Sequence, residues 1–297
     1  MNGAGSSNRI WSELGMISVS NLIDTRLQLH WAAQIVAAFG NSVIERQADD
    51  SQSNLGWVRK FRALCSHPSP DGFSVGLRLA DLTLLFFDKH QNVTSEFRLA
   101  RCTLQQGFEW LTSTYAQQSR GKTDQPFALR EYEMPGHPVE QNVPFSLKAP
   151  APFLEYQHWY ANAHLSLTSL SENWQQASPV RCWPHHFDIA TLVTLDPNKS
   201  VEETRSVGCG MSPGDDTYAE PYWYVNLWPY PETSQLPQLS IGKWHTEGWV
   251  GAILTATALV EGGPRDSQAE RVNKYLEDAT QACFRLLGGR PSPDKTA

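Results

Sequence analysis

No two of the five cysteines (Cys65, Cys102, Cys182, Cys209 and Cys283) stand at CxxC spacing, so a cysteine-based structural zinc site is not expected. An odd count without a secretion signal points to reduced thiols, most of them buried for packing. Cys209, between two glycines, is the candidate for an exposed thiol, but no neighbouring base marks it as a nucleophile. The chain also lacks a phosphate loop, a GlyxGlyxxGly fingerprint, a GlyxSerxGly elbow and a HisGluxxHis helix motif. ATPase, dinucleotide-binding and α/β-hydrolase readings are therefore without support. No run approaches the length of about 18 apolar residues that a membrane span needs. The formal charge of -7, with no Lys/Arg-dense stripe, argues against a nucleic-acid partner. The first twenty residues are polar and rich in Gly and Ser, without a signal-peptide pattern, so a cytoplasmic location is expected.

What is present is an ordinary globular composition, 40% hydrophobic and 19% charged, long enough to bury a substantial core. Leu27, Trp31, Ile35 and Ala38 recur at helical spacing over 24–39. Alternating or apolar runs at 73–79, 82–87 and 93–99 read as an antiparallel meander, with Asn54-Leu55-Gly56-Trp57 in the loop before it. Thr103 and Gln106 have capping-box spacing ahead of a helical stripe. Residues 119–150 read as a connector. A helix over 152–170, strands at 187–195, 222–227 and 249–255, and a final helix capped by Ser267 and Glu270 complete the second half.

Helix, strands and helix thus occur in that order twice, and His30-Trp31-Ala32 is echoed by His158-Trp159-Tyr160-Ala161. The expected fold class is α+β, with two pseudo-repeated helix–antiparallel sheet–helix halves. Their expected limits are 21–118 and 151–290, flanked by a flexible N-terminus (1–20) and a flexible tail (291–297).

The chemistry concentrates between Trp183 and Trp249, which hold three of the nine histidines and five of the eleven tryptophans. If Trp-Pro-His-His-Phe-Asp (183–188) enters a strand, alternation puts His186 and Asp188 on one face and His185 and Phe187 on the other. Glu220, Tyr222, Tyr224 and Asn226 share a face of the next strand, as do His245 and Glu247 where the third begins. Two imidazoles with carboxylates form the ligand set of a catalytic zinc or non-haem iron site, which assigns His186, Asp188, Glu220 and His245 to a divalent transition metal. Glu247 is then a candidate general base. Asp215 joins it as a catalytic candidate, presented by the Ser212-Pro213-Gly214-Asp215 turn beside Arg205 or Lys243. Tyr222, Tyr224 and Trp249 are candidate ligand-binding walls for an apolar, cationic or sugar-like molecule. Two other readings of the same residues stay open: a metal-free polar pocket, and buried pairing that only satisfies polar groups.

The Trp183–Asp188, Ser212–Asp215, Glu220–Tyr222 and His245–Trp249 elements, with Asn54–Trp57, resemble those of an uncharacterised bacterial family, a domain of unknown function. The resemblance implies bacterial origin and a soluble protein, and brings no activity with it. The leading expectation is a protein with a His/carboxylate/aromatic pocket serving metal-dependent chemistry on a small molecule. A noncatalytic small-ligand-binding module and a structural or partner-binding protein are the alternatives. No feature of the sequence sets the oligomeric state.

Overall fold

In the computed structural model the described residues are 11–119, 126–196, 199 and 203–289. The expected tail (291–297) and the start of the connector lie outside them. The first half opens with helix α1 (Ile23–Val43), followed by strands β1 (Gly56–Val58), β2 (Ala63–Cys65), β3 (Ser74–Arg78), β4 (Thr83–Phe87) and β5 (Val93–Arg98) and helix α2 (Leu104–Gln118). The second half repeats the plan. Helix α3 (Pro150–Ser171) precedes β6 (Arg181–Trp183), β7 (Asp188–Thr194), β8 (Ser206–Ser212), β9 (Tyr222–Trp228), β10 (Lys243–His245) and β11 (Gly251–Thr255), and helices α4 (Ala256–Glu261) and α5 (Gln268–Leu286) follow. The fold is α+β, with two wholly antiparallel sheets ordered β1-β2-β3-β4-β5 and β10-β11-β9-β8-β7-β6. A single bridge between Leu55 and Cys182 joins them at their inner edges.

The first four strands of the two sheets match in register as well as in order. β1 turns into β2 after Val58 pairs with Ala63, and β6 turns into β7 after Trp183 pairs with Asp188, so each loop has four residues. The fourth loop residue is left-handed in both, Arg62 at φ 51° and Phe187 at φ 57°. Cys65 pairs with Gly76 in one sheet and Ala190 with Gly210 in the other. Gly76 then pairs with Leu85, and Gly210 with Tyr224. Ala63, Gly76 and Leu85 thus occupy the positions that Asp188, Gly210 and Tyr224 occupy in the second half.

Local signals explain most helix ends. Thr103 accepts from the Gln106 amide while the Gln106 side chain accepts from the Thr103 amide, the reciprocal box that starts α2. The box expected at Ser267 and Glu270 does not form. Ser267 Oγ instead donates to the Pro264 carbonyl and accepts from Arg271, in a 3-10 turn leading into α5. α1 is buried on nearly every side, so its Leu, Ile, Val, Ala and Phe side chains belong to the common core. α3 and α5 cover one face of the second sheet, where Ile189, Val193, Val207, Cys209, Met211, Trp223, Val225, Leu227 and Leu254 are buried.

Several segments differ from the sequence reading. Residues 11–20, expected in a flexible N-terminus, are docked. Leu14 is buried and exchanges two hydrogen bonds with the Gln268 side chain, and Ser12 does the same with Asn162. β8 lies between the expected strands 187–195 and 222–227, where its alternating glycines give no strand signal. Asn54–Trp57 leads into β1 rather than a loop, and β2 was not expected at all. Cys209 is fully buried, and burial pushes its thiol up to about 12.

Candidate functional site

The face of the second sheet turned away from α3 and α5 carries Asp188, Gly208, Gly210, Ser212, Tyr222, Tyr224 and Asn226, because alternate residues share a face. A cavity of about 320 Å³ opens there, lined by His186, Asp188, Ser212, Asp215, Tyr222, Tyr224, Asn226 and Trp249. Gly210 makes the cavity possible. A Cβ at this position would sit 2.5 Å from the Tyr224 hydroxyl and ring, so only glycine lets that ring lie across β8. The Tyr224 hydroxyl thereby reaches Asp188 on β7 and donates to Oδ2 at 2.5 Å. Gly210→Ala is expected to expel the ring and cost about 1–3 kcal/mol, read as a fall in Tm. In a Tyr224→Ala background the same change should be nearly neutral, because the clash is gone.

Trp183–Asp188 is not a strand entrance but the hairpin turn between β6 and β7. The Phe187 amide donates to the Trp183 carbonyl at 2.7 Å, closing the turn. Two helices hold it. From α1, His30 Nε2 and Gln34 Nε2 both donate to the Pro184 carbonyl at 2.8 Å, and from α3 the Tyr160 hydroxyl donates to the Phe187 carbonyl. Phe187 is buried between the His30 and Tyr160 rings. The turn therefore exposes both His185 and His186, whose rings lie 4.3 Å apart, instead of placing them on opposite faces. His186 and Asp188 still line the same cavity, as expected.

Burial raises the Asp188 carboxyl above its ordinary value, against the Tyr224 hydrogen bond and the His186 and His185 imidazoles. Asp215 is tied on both oxygens. Oδ1 accepts from the Thr217 and Tyr218 amides at 2.8 Å, and Oδ2 accepts from the Tyr222 hydroxyl at 2.6 Å. The Ser212–Asp215 turn, with Gly214 at φ 108°, does present Asp215 to the cavity. Its cationic neighbour is Arg26 of α1, which donates to the Asp215 carbonyl at 3.3 Å. Of the two cations expected there, Arg205 is engaged by Asp196, and Lys243 Nζ lies over the Tyr218 ring, 5.7 Å from its centroid.

Three of the expected residues stand outside the cavity. His245 is buried, with Nε2 donating to the Glu247 carbonyl at 2.7 Å and Nδ1 accepting from the Tyr218 hydroxyl at 3.0 Å. Both ring nitrogens are used, and the ring packs on Trp249 with centroids 4.5 Å apart. Glu220 Oε2 accepts from the Thr257 amide at 2.6 Å and so caps α4. Glu247 is exposed on the loop between β10 and β11. Of the four residues expected to share a metal, only His186 and Asp188 line the cavity. Among the described residues, no group of three or more His, Cys, Asp or Glu is gathered as a metal ion requires.

Sequence reading missed Ser212 as a lining residue, Gly210 as the seat of Tyr224, and His30, Gln34 and Tyr160 as the groups that hold the turn. Gly208-Cys209-Gly210 beside Tyr222-Trp223-Tyr224 carried a signal: small residues on one strand match large ones on the next. The holders of the turn had none, because they come from two helices far away in the chain.

Fold and site together define an α+β protein of two pseudo-equivalent halves, with a polar aromatic cavity on the open face of the second sheet. No family model, no curated protein and no solved structure matches the chain. Among the described residues, no helix is long and apolar enough to cross a membrane.

Proposed function

We propose that this protein is a binding module for a small, amine-bearing molecule, held in the cavity between Asp188, Asp215, Tyr222, Tyr224 and Trp249. The comparison of the two halves carries the reading. At the same positions the first sheet has Ala63, Cys65, Leu85 and Phe87, a small closed apolar cluster. The second has Asp188, Ala190, Tyr224 and Asn226 around an open cavity. One scaffold folds with apolar residues on this face, so pairing for stability alone does not require the polar set. Carboxylates facing aromatic rings suit an ammonium group, which gains from ion pairing and from the ring faces. The volume suits a ligand of modest size.

A thermal-shift and NMR titration with small organic cations, choline and polyamines among them, tests the reading. At least one cation is expected to raise Tm at millimolar concentration, as binding to the native state requires. Asp188→Asn, which keeps an acceptor for Tyr224, should weaken that binding at least tenfold, and Trp249→Ala should weaken it too. Because burial raises the Asp188 carboxyl, affinity should fall as pH drops through its range. No response to any cation, or binding indifferent to both substitutions, sinks the proposal. The metal-dependent alternative keeps His186 and Asp188 as its protein donors for zinc or iron. Elemental analysis of protein purified without chelator or affinity nickel distinguishes it.

A further inference from the structure

The pseudo-repeat has a second consequence, away from the candidate site. α1 brings His30 to the β6–β7 turn of the other half, where its imidazole donates to Pro184 and stacks on Phe187. α3 brings the echoed His158 to the equivalent turn of the first half, between β1 and β2. The partners differ there. The loop positions of Pro184 and Phe187 are held by Arg59 and Arg62, and no aromatic ring fills the space. A cavity of about 490 Å³ lies at this place, with Arg59, Arg62, His158, His164 and Trp57 in its wall. His158 Nδ1 is buried without a hydrogen-bond partner.

We infer that this second cavity binds a small phosphate-bearing anion, held by the Arg62 guanidinium and the His158 imidazole. No Asp or Glu is among its described lining residues, although the chain as a whole carries a charge of -7. Arginine presents a planar fork of donors that matches a phosphate, and an imidazole N–H adds a further donor. The buried Nδ1, which has no partner within the protein, gains one from the anion. Burial, against a hydrogen bond to the Glu13 backbone, and the nearby Arg62 charge lower the His158 imidazole below its ordinary value. A bound anion opposes both effects, so binding and protonation of His158 assist each other.

Isothermal titration of the full chain with pyrophosphate and with inorganic phosphate, supported by 31P NMR, tests the inference. Saturable binding of pyrophosphate with a Kd in the millimolar range or tighter is expected. Arg62→Gln and His158→Gln should each weaken it at least fivefold, with Tm unchanged for the exposed Arg62. Arg98→Gln, which removes an equally exposed charge on β5, should leave it unaltered. Absence of saturable binding overturns the inference. So does equal weakening by Arg98→Gln, which marks a diffuse charge effect, or indifference to both Arg62→Gln and His158→Gln. None of these outcomes bears on the amine pocket, which lies at the other end of the hairpin relationship and is read with cations.

Discussion

Phe187→Ala is expected to destabilise the protein by about 3–5 kcal/mol, the range for removing a buried phenyl ring. The ring is fully buried, with its centroid 5.3 Å from that of His30 and 5.1 Å from that of Tyr160. Its loss leaves a hole between α1, α3 and the β6–β7 turn, three elements that cannot all close on it. The backbone supplies a second, opposite term. Phe187 sits at φ 57°, where any residue with a Cβ is strained by about 1–2 kcal/mol. Phe187→Gly should therefore be less damaging than Phe187→Ala by about 1 kcal/mol, the reverse of the usual order in a folded chain. Urea denaturation of both variants measures this. An alanine variant at least as stable as the glycine variant would refute the left-handed assignment. Both variants should also lose cation binding, because His186 and Asp188 flank the position on either side.

His30→Gln is expected to flatten the dependence of stability on acid. Burial holds the His30 imidazole at about 4, against an ordinary 6.5, although its bond to Pro184 pulls the other way. The unfolded chain takes up a proton between these values that the native state refuses. Stability from this group is therefore fully present above pH 6.5, falls as pH drops through the window, and is lost below about 4. The size of the shift corresponds to about 3 kcal/mol. Glutamine can donate to the Pro184 carbonyl but has no proton to gain, so it removes this group's part of the slope at a modest cost near neutrality. His67, His158 and His185, also lowered by burial, leave slopes of the same sign. Urea titrations at several values between pH 4 and 7 read the result. Equal slopes in the two proteins would show that His30 is not the acid-sensitive group.

These expectations depend on contacts between halves, and such contacts mark the limit of what the chain discloses. Helices α1, α2, α3 and α5 were legible because each has apolar residues at helical spacing. The meander β3-β4-β5 was legible because its runs are bounded by turns such as Asp88–Asn92, where Asp88 Oδ1 accepts from the His90 and Asn92 amides. β2 and β8 were not, since three residues cannot show alternation and glycines dilute it. In the site, strand alternation correctly grouped Asp188 of β7 and Tyr222 and Tyr224 of β9. It failed to separate His185 from His186 because they lie in a turn, where alternation does not apply, although His186 still lines the cavity with Asp188. His245 and Glu220 share the residue types of metal ligands, yet one is bonded through both ring nitrogens and the other caps a helix.

Sequence alone determined the α+β class, the twofold order of helix, sheet and helix, and the stretch in which the polar and aromatic groups gather. These follow from local periodicity, which each segment carries by itself. Tertiary structure alone decided which of those groups meet. Tyr224 reaches Asp188 only across Gly210, and the β6–β7 turn takes its shape from His30, Gln34 and Tyr160 on two distant helices. Such meetings depend on strand register and helix packing between residues up to 154 positions apart, a separation over which no spacing rule operates.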